Sequence, residues 1–117
     1  MKRKTRRLTR TAKKAKADRL FSLKIRERDK GCQSCGSTDR LQCAHIFSRR
    51  YHSIRWYLLN ALALCAKCHT FFTHHPAEWE QFCRHEYLGS PETWDQLRML
   101  ALEVWDKDLD EVLRGLE

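Results

Sequence analysis

The chain has 117 residues and a net charge of +8, enough for one domain with a small core that gains from a metal or disulfide staple. It contains no apolar run of about 18 residues, so nothing in it reads as a membrane span. The charge is unevenly spread. Residues 1–30 carry 14 Lys/Arg against 3 acids, residues 31–75 carry 5 against 1, and residues 76–117 carry 4 against 11. A basic front and an acidic back point to a polyanionic partner, nucleic acid before membrane surface.

Residues 1–14 are too polar to join a core and read as a basic arm, disordered until it meets a partner; residues 15–117 read as one domain, its core at 31–75 and further helices over 76–117. Basic residues near Met1 have no apolar stretch behind them, which argues against a secretory signal and for an intracellular, cytoplasmic protein. A helix is expected over Ala15–Lys30, with Leu20, Phe21 and Ile25 on its apolar side and Gly31 at its stop.

The six cysteines form two Cys-x-x-Cys pairs, Cys32/Cys35 and Cys65/Cys68, and two singles, Cys43 and Cys83. In an intracellular chain that spacing suggests four thiolate ligands on a closed, structural zinc site. The singles are expected to be buried small hydrophobes. Between the knuckles, residues 39–47 read as a strand, residues 48–59 as an irregular Arg-rich loop, and residues 60–64 as a second, antiparallel strand. A helix then follows Cys65 to His75, and another starts at Pro76 with Trp79, Phe82 and Cys83 on its apolar side. After a Ser90-Pro91-Glu92 cap signal, one last helix is expected, burying Trp94, Leu97, Ala101, Val104, Trp105, Leu109 and Val112/Leu113. Its acidic surface suits a protein partner better than DNA.

The order Cys32-x-x-Cys35, Ala44-His45, Asn60, Leu64-Cys65-x-x-Cys68-His69 resembles the HNH, or ββα-metal, endonucleases, especially the small phage and prophage members with a four-cysteine zinc site. The resemblance covers residues 20–75. It implies an α+β fold: a ββα-metal hairpin-helix core stapled by zinc, with flanking N- and C-terminal helices. It also implies a bacterial or phage-encoded, divalent-metal-dependent DNA endonuclease that nicks one strand per site with low sequence specificity. By resemblance His45 is the general base, Asn60 holds the hairpin in register, and His69 binds the catalytic Mn²⁺ or Mg²⁺. Arg49, Arg50 and Arg55 are expected to contact phosphates of double-stranded DNA.

The chain departs from the family pattern at Ala44, where many members carry an Asp or His ligand, and at Thr73, where some carry a further His. Gln42 is the candidate replacement ligand because it shares a strand face with Ala44, with Asp39 and His74 as alternatives. A non-catalytic zinc-knuckle DNA-binding protein and a phage-assembly interaction protein are the competing functions. Neither needs His45, Asn60 and His69 together.

Overall fold

The computed structural model describes residues 7–117. Among these residues the chain is mixed α+β: five α-helices around a two-stranded antiparallel sheet. No helix of the described residues is long and apolar enough to cross a membrane.

Helix α1 spans Arg10–Asp29. It begins five residues before the expected start, because Thr9 Oγ1 accepts from the Ala12 amide at 3.1 Å and caps the first turn. Residues 10–14 are therefore helical, which corrects the expectation of a disordered arm for that stretch; residues 1–6 lie outside the described residues. The helix stops at Lys30, which adopts a left-handed φ of 63°. Gly31 follows, where a β-carbon would stand 3.4 Å from the Gly36 carbonyl.

Strands β1 (Leu41–His45) and β2 (Ala61–Cys65) pair with Leu41 opposite Cys65 and His45 opposite Ala61. Every residue of β2 is buried, and its alternation divides the core in two. Ala61 and Ala63 are small enough for α1 to approach, and they pack with Ala17, Phe21 and Ile25 at i, i+4, i+8. Leu62 and Leu64 point to the opposite face and join Ile54, Phe82, Cys83, Trp94 and Leu97. The hairpin is thus covered on both sides, whereas the free edge of β1 stays open.

The expected 48–59 loop is more ordered than its polarity suggests. It contains short 3₁₀ turns at His52–Ile54 and Leu58–Asn60, and it buries Ile54. Ser53 Oγ donates to the Leu100 carbonyl at 2.7 Å, tying the loop to the end of a later helix. Helix α2 spans Ala66–His74 and α3 spans Pro76–Gln81; α3 continues as a π-helical turn over Phe82–Tyr87.

The single last helix is not found. Helix α4 (Pro91–Ala101) and helix α5 (Leu109–Leu116) are separate, each with its own N-cap, Ser90 and Asp108. Trp94, Leu97 and Ala101 belong to one core, whereas Leu113 and Leu116 belong to the other. These cores lie on opposite faces of the hairpin, so the chain must break to supply both. Val104, expected in the core, sits in the connection and is 91% exposed. Helix α5 also meets α1 through charge: Lys13–Asp110 and Lys16–Glu117 pairs each close to 2.8 Å. Part of the acidic C-terminal charge is therefore matched within the chain. Both pairs are solvent-exposed enough to contribute little stability.

Candidate functional site

Cys32 and Cys35 lie in the turn after α1, and Cys65 and Cys68 at the β2–α2 junction. Their four Sγ atoms all lie within 4.8 Å of one another, and Cys35 and Cys65 are 3.7 Å apart. Tetrahedral zinc with Zn–S bonds near 2.3 Å places its sulfurs about 3.8 Å apart, so the donor set fits a structural metal ion such as zinc. Two amides point at sulfur across the knuckles: Cys35 N–H toward Cys32 at 3.5 Å and Cys68 N–H toward Cys65 at 3.4 Å. Gly36 makes the first knuckle's exit at a φ of 81°, where a side chain would be strained. Burial raises the Cys32 thiol, but hydrogen bonds from the amides around it outweigh this and bring it to about 6. Cys68 is pushed to about 12 by burial and by the neighbouring thiols. Four crowded thiols resist joint ionisation until a cation shares them. Cys83 is buried as expected, whereas Cys43 is only half-buried and lines a cleft beside β1; both stand apart from the cluster, each raised to about 12 with burial as the largest cause.

The free edge of β1 borders an open cleft of about 550 Å³, lined by Asp18, Ser22 and Arg26 of α1, by residues Leu41–Cys43 and His45, and by Arg49 and His69. Both histidines singled out in the sequence therefore face one cavity. A smaller pocket of about 110 Å³ continues beside Ala44, and His45 and His69 line it too.

His45 ends β1, its ring stacked on Phe21 of α1 with centroids 5.5 Å apart. Its Nε2 lies 2.9 Å from the Arg55 carbonyl. A carbonyl only accepts, so Nε2 carries the proton and Nδ1 keeps the free lone pair. Burial lowers the His45 pKa from its ordinary value near 6.5; the Arg55 carbonyl opposes this, while Arg49 adds to it. The imidazole is therefore a neutral base at pH 7.

His69 lies in the first turn of α2, and its Nδ1 is 2.6 Å from Gln42 Oε1. The carboxamide oxygen accepts, so Nδ1 is the protonated nitrogen and Nε2 is free. Gln42, the candidate replacement ligand, thus has its carboxamide oxygen on His69, where it orients that ring. Burial lowers the His69 pKa as well. Asp39 is exposed in the turn before β1, and its amide bonds Ser37; His74 is at the far end of α2. Thr73 Oγ1 is spent on the His69 carbonyl at 2.7 Å.

Asn60 is 0% exposed and binds three backbone groups. Its Oδ1 accepts from the Phe47 amide at 2.8 Å, and its Nδ2 donates to the Phe47 and Ile54 carbonyls at 3.0 and 3.1 Å. Its own carbonyl accepts from the Ile46 amide at 2.8 Å. The segment leaving His45 is thereby clamped to both the loop and β2.

The three loop arginines separate. Arg49 lines the cleft with its side chain 60% exposed, 3.5 Å from Asp18. Arg50 lies over the Tyr51 ring at 4.9 Å. Arg55 was expected to contact phosphate, but its side chain is only 15% exposed and is gripped from two sides by Asp18, Nε to Oδ1 at 3.1 Å and Nη2 to Oδ2 at 2.7 Å. It is an internal anchor. Two residues of the cleft, Asp18 and Arg26, were not singled out from the sequence. The available signal was the polar stripe Asp18, Ser22, Arg26 at i, i+4, i+8 beside the apolar one.

Electrostatically the cleft is positive. Burial raises the Asp18 pKa, but hydrogen bonds and charge from Arg55, with help from Trp56 and Arg49, leave it lowered overall, so it stays ionised and paired. Asp18 is the one carboxylate among the lining residues and is already shared by Arg55 and Arg49, so Arg26 and Arg49 together leave the lining with an excess of positive charge. No protein-family model, curated protein or solved structure matches the chain.

Proposed function

We propose that the chain is a ββα-metal nuclease of the HNH type, hydrolysing DNA phosphodiesters at the cleft beside β1. The observation that carries this reading is the pair of imidazoles that line one cleft, each held by its own hydrogen-bond partner. His45 is held by Arg55 so that a basic Nδ1 is free, and His69 is held by Gln42 so that a ligating Nε2 is free; both line one positive cavity. A zinc-stapled binding protein needs neither arrangement.

In this reading a DNA backbone enters the cleft between α1 and the loop, with Arg26 and Arg49 on its phosphates. His45 Nδ1 takes a proton from water as the water oxygen attacks phosphorus in line, and the 3′ oxygen departs. His69 Nε2 would hold a divalent ion, Mg²⁺ or Mn²⁺, which when bound would supply stabilisation of the charge that develops in the reaction. Asn60 fixes the position of His45 by clamping residues 46 and 47. Zinc on Cys32, Cys35, Cys65 and Cys68 would fix the start of α2, and so the place of His69 relative to β1. The products implied are 5′-phosphate and 3′-hydroxyl ends. A lone site reaches one phosphodiester at a time, so the expected product is a nick.

The test is a divalent-ion titration of nicking with His69→Ala. The variant is expected to need a higher ion concentration for half-maximal rate, with zinc content and DNA affinity unchanged. An unchanged ion dependence removes His69 from the role. Ala44 favours a second reading, a zinc-stapled DNA-binding relative without catalysis, because its methyl group stands where a ligand is expected and cannot coordinate.

A further inference from the structure

The general base proposed above has its orientation set by a backbone carbonyl, and that carbonyl belongs to a residue whose side chain is itself anchored elsewhere. Arg55 offers its C=O to His45 at 2.9 Å while its guanidinium lies in the two-pronged grip of Asp18. Asp18 Oδ1 also accepts from Trp56 Nε1 at 3.0 Å, so the carboxylate holds two successive loop residues. The Arg55 guanidinium packs over the Trp56 ring at 5.2 Å, which leaves that side chain little freedom. The same helix stacks Phe21 on the His45 ring.

We infer that Asp18 is a positioning residue for His45, acting through Arg55: it fixes the carbonyl that holds the imidazole with Nε2 protonated and Nδ1 unprotonated, in a ring that lines the cleft. The inference rests on the nuclease reading for its catalytic consequence but not for its structural one. It makes α1 part of the catalytic unit, although Asp18 precedes the first zinc knuckle and lies outside the 31–75 core. A loop peptide with two 3₁₀ turns has several ways to present one carbonyl. A bidentate carboxylate–guanidinium pair selects among them because two parallel bonds fix angle as well as distance. The arrangement also explains why this loop arginine, unlike Arg49, is withdrawn from solvent.

The experiment compares wild type, Asp18→Asn and Arg55→Lys as full-length, zinc-loaded protein by ¹⁵N-resolved NMR of the histidine rings, and then by single-turnover nicking of supercoiled plasmid. Wild type is expected to show a slowly exchanging His45 Nε2–H resonance. In Asp18→Asn that resonance should broaden into solvent exchange, and the nicking rate should fall about tenfold or more with DNA affinity within twofold, the signature of a displaced base. Arg55→Lys keeps the charge but loses the two-pronged geometry; it should show the same changes at smaller size, and it serves if Asp18→Asn fails to fold. A folded variant with a wild-type ring signal and a wild-type rate overturns the inference. A wild type that never nicks, but whose ring resonance responds to Asp18→Asn as described, leaves the positioning role standing and refutes the nuclease reading instead.

Discussion

Replacing Asn60 removes the clamp that joins the end of β1 to the loop, and the structure gives the cost. Asn60→Ala deletes three hydrogen bonds. The Ile54 carbonyl keeps a second partner, the Tyr57 amide at 3.2 Å, but the Phe47 amide and carbonyl lose Asn60 as their partner. With about 1 kcal/mol per hydrogen bond and up to about 3 for a buried group left unpaired, the expected loss is about 3 kcal/mol. At a urea slope of about 1.5 kcal/mol/M this moves the unfolding midpoint by about 2 M, readable from the fluorescence of the four tryptophans. Asn60→Asp is the sharper variant because it keeps shape and volume. One carboxyl oxygen can still accept from Phe47, but the other replaces a donor and faces two carbonyl oxygens in a fully buried position. Burial and those carbonyls raise the introduced group's pKa above its ordinary value of about 3.9. A folded-state pKa above the unfolded one means that stability is retained at low pH and lost as pH rises through the folded value. The Asn60→Asp deficit should therefore shrink on going from pH 8 to pH 5, as the protonated carboxyl recovers a donor. A midpoint shift below about 0.5 M for Asn60→Ala, or a pH-independent deficit for Asn60→Asp, would refute the clamp.

Three further outcomes are expected. Metal analysis should find one tightly held zinc per chain, and Cys68→Ser should lose cooperative unfolding as well as activity; a well-folded, zinc-free wild type would contradict the staple. DNA affinity should fall steeply with salt, and removing residues 1–8, which carry Lys2, Arg3, Lys4, Arg6 and Arg7 but spare the Thr9 cap, should reduce the log–log slope by up to about 4.5. An unchanged slope would place the binding charge elsewhere, on Arg26 and Arg49. Because His69 is the main protein ligand expected at the catalytic site, Mn²⁺ should support faster nicking than Mg²⁺, and Ala44→Asp, projecting into the small pocket shared by both histidines, should lower the Mg²⁺ concentration needed; equal rates and an unchanged requirement would argue against an ion at that place.

The cysteine knuckles were legible because a four-residue spacing leaves little choice of geometry, and the hairpin because apolar runs flank a polar loop. Helix rotation was not legible. The polar stripe of Asp18, Ser22 and Arg26 marks one side of the apolar face, but what that stripe meets depends on how Phe21 and Ile25 seat against Ala61 and Ala63. For the same reason Arg55 could not be told from Arg49: the two differ only in which one α1 reaches. The break between α4 and α5 was hidden by apolar spacing that continues through Val104 and Trp105. Helical periodicity is a local signal, and it cannot show that one stretch serves two cores on opposite faces of a hairpin. Trp105 instead packs on His52 and Trp56 with centroids 5.4 and 5.8 Å away, covering the loop from outside. The His52 Nε2 atom beneath is buried without a hydrogen-bond partner among the described residues. The Asn60 clamp was expected from family resemblance, yet its three partners are backbone groups at positions 47 and 54, which no side-chain pattern marks.

The most direct test of the central claim is nicking of supercoiled plasmid by zinc-loaded wild type and His45→Ala, each with Mn²⁺ and with Mg²⁺, alongside zinc content and DNA affinity for both. The account predicts open circles before linear DNA for wild type. For His45→Ala it predicts a rate lower by about 10²–10⁴-fold with zinc and DNA binding intact, because a general base contributes that factor to the reaction and His45 stands outside the four-cysteine cluster. A wild type that nicks under neither ion, or a His45→Ala that nicks as fast as wild type, would contradict it.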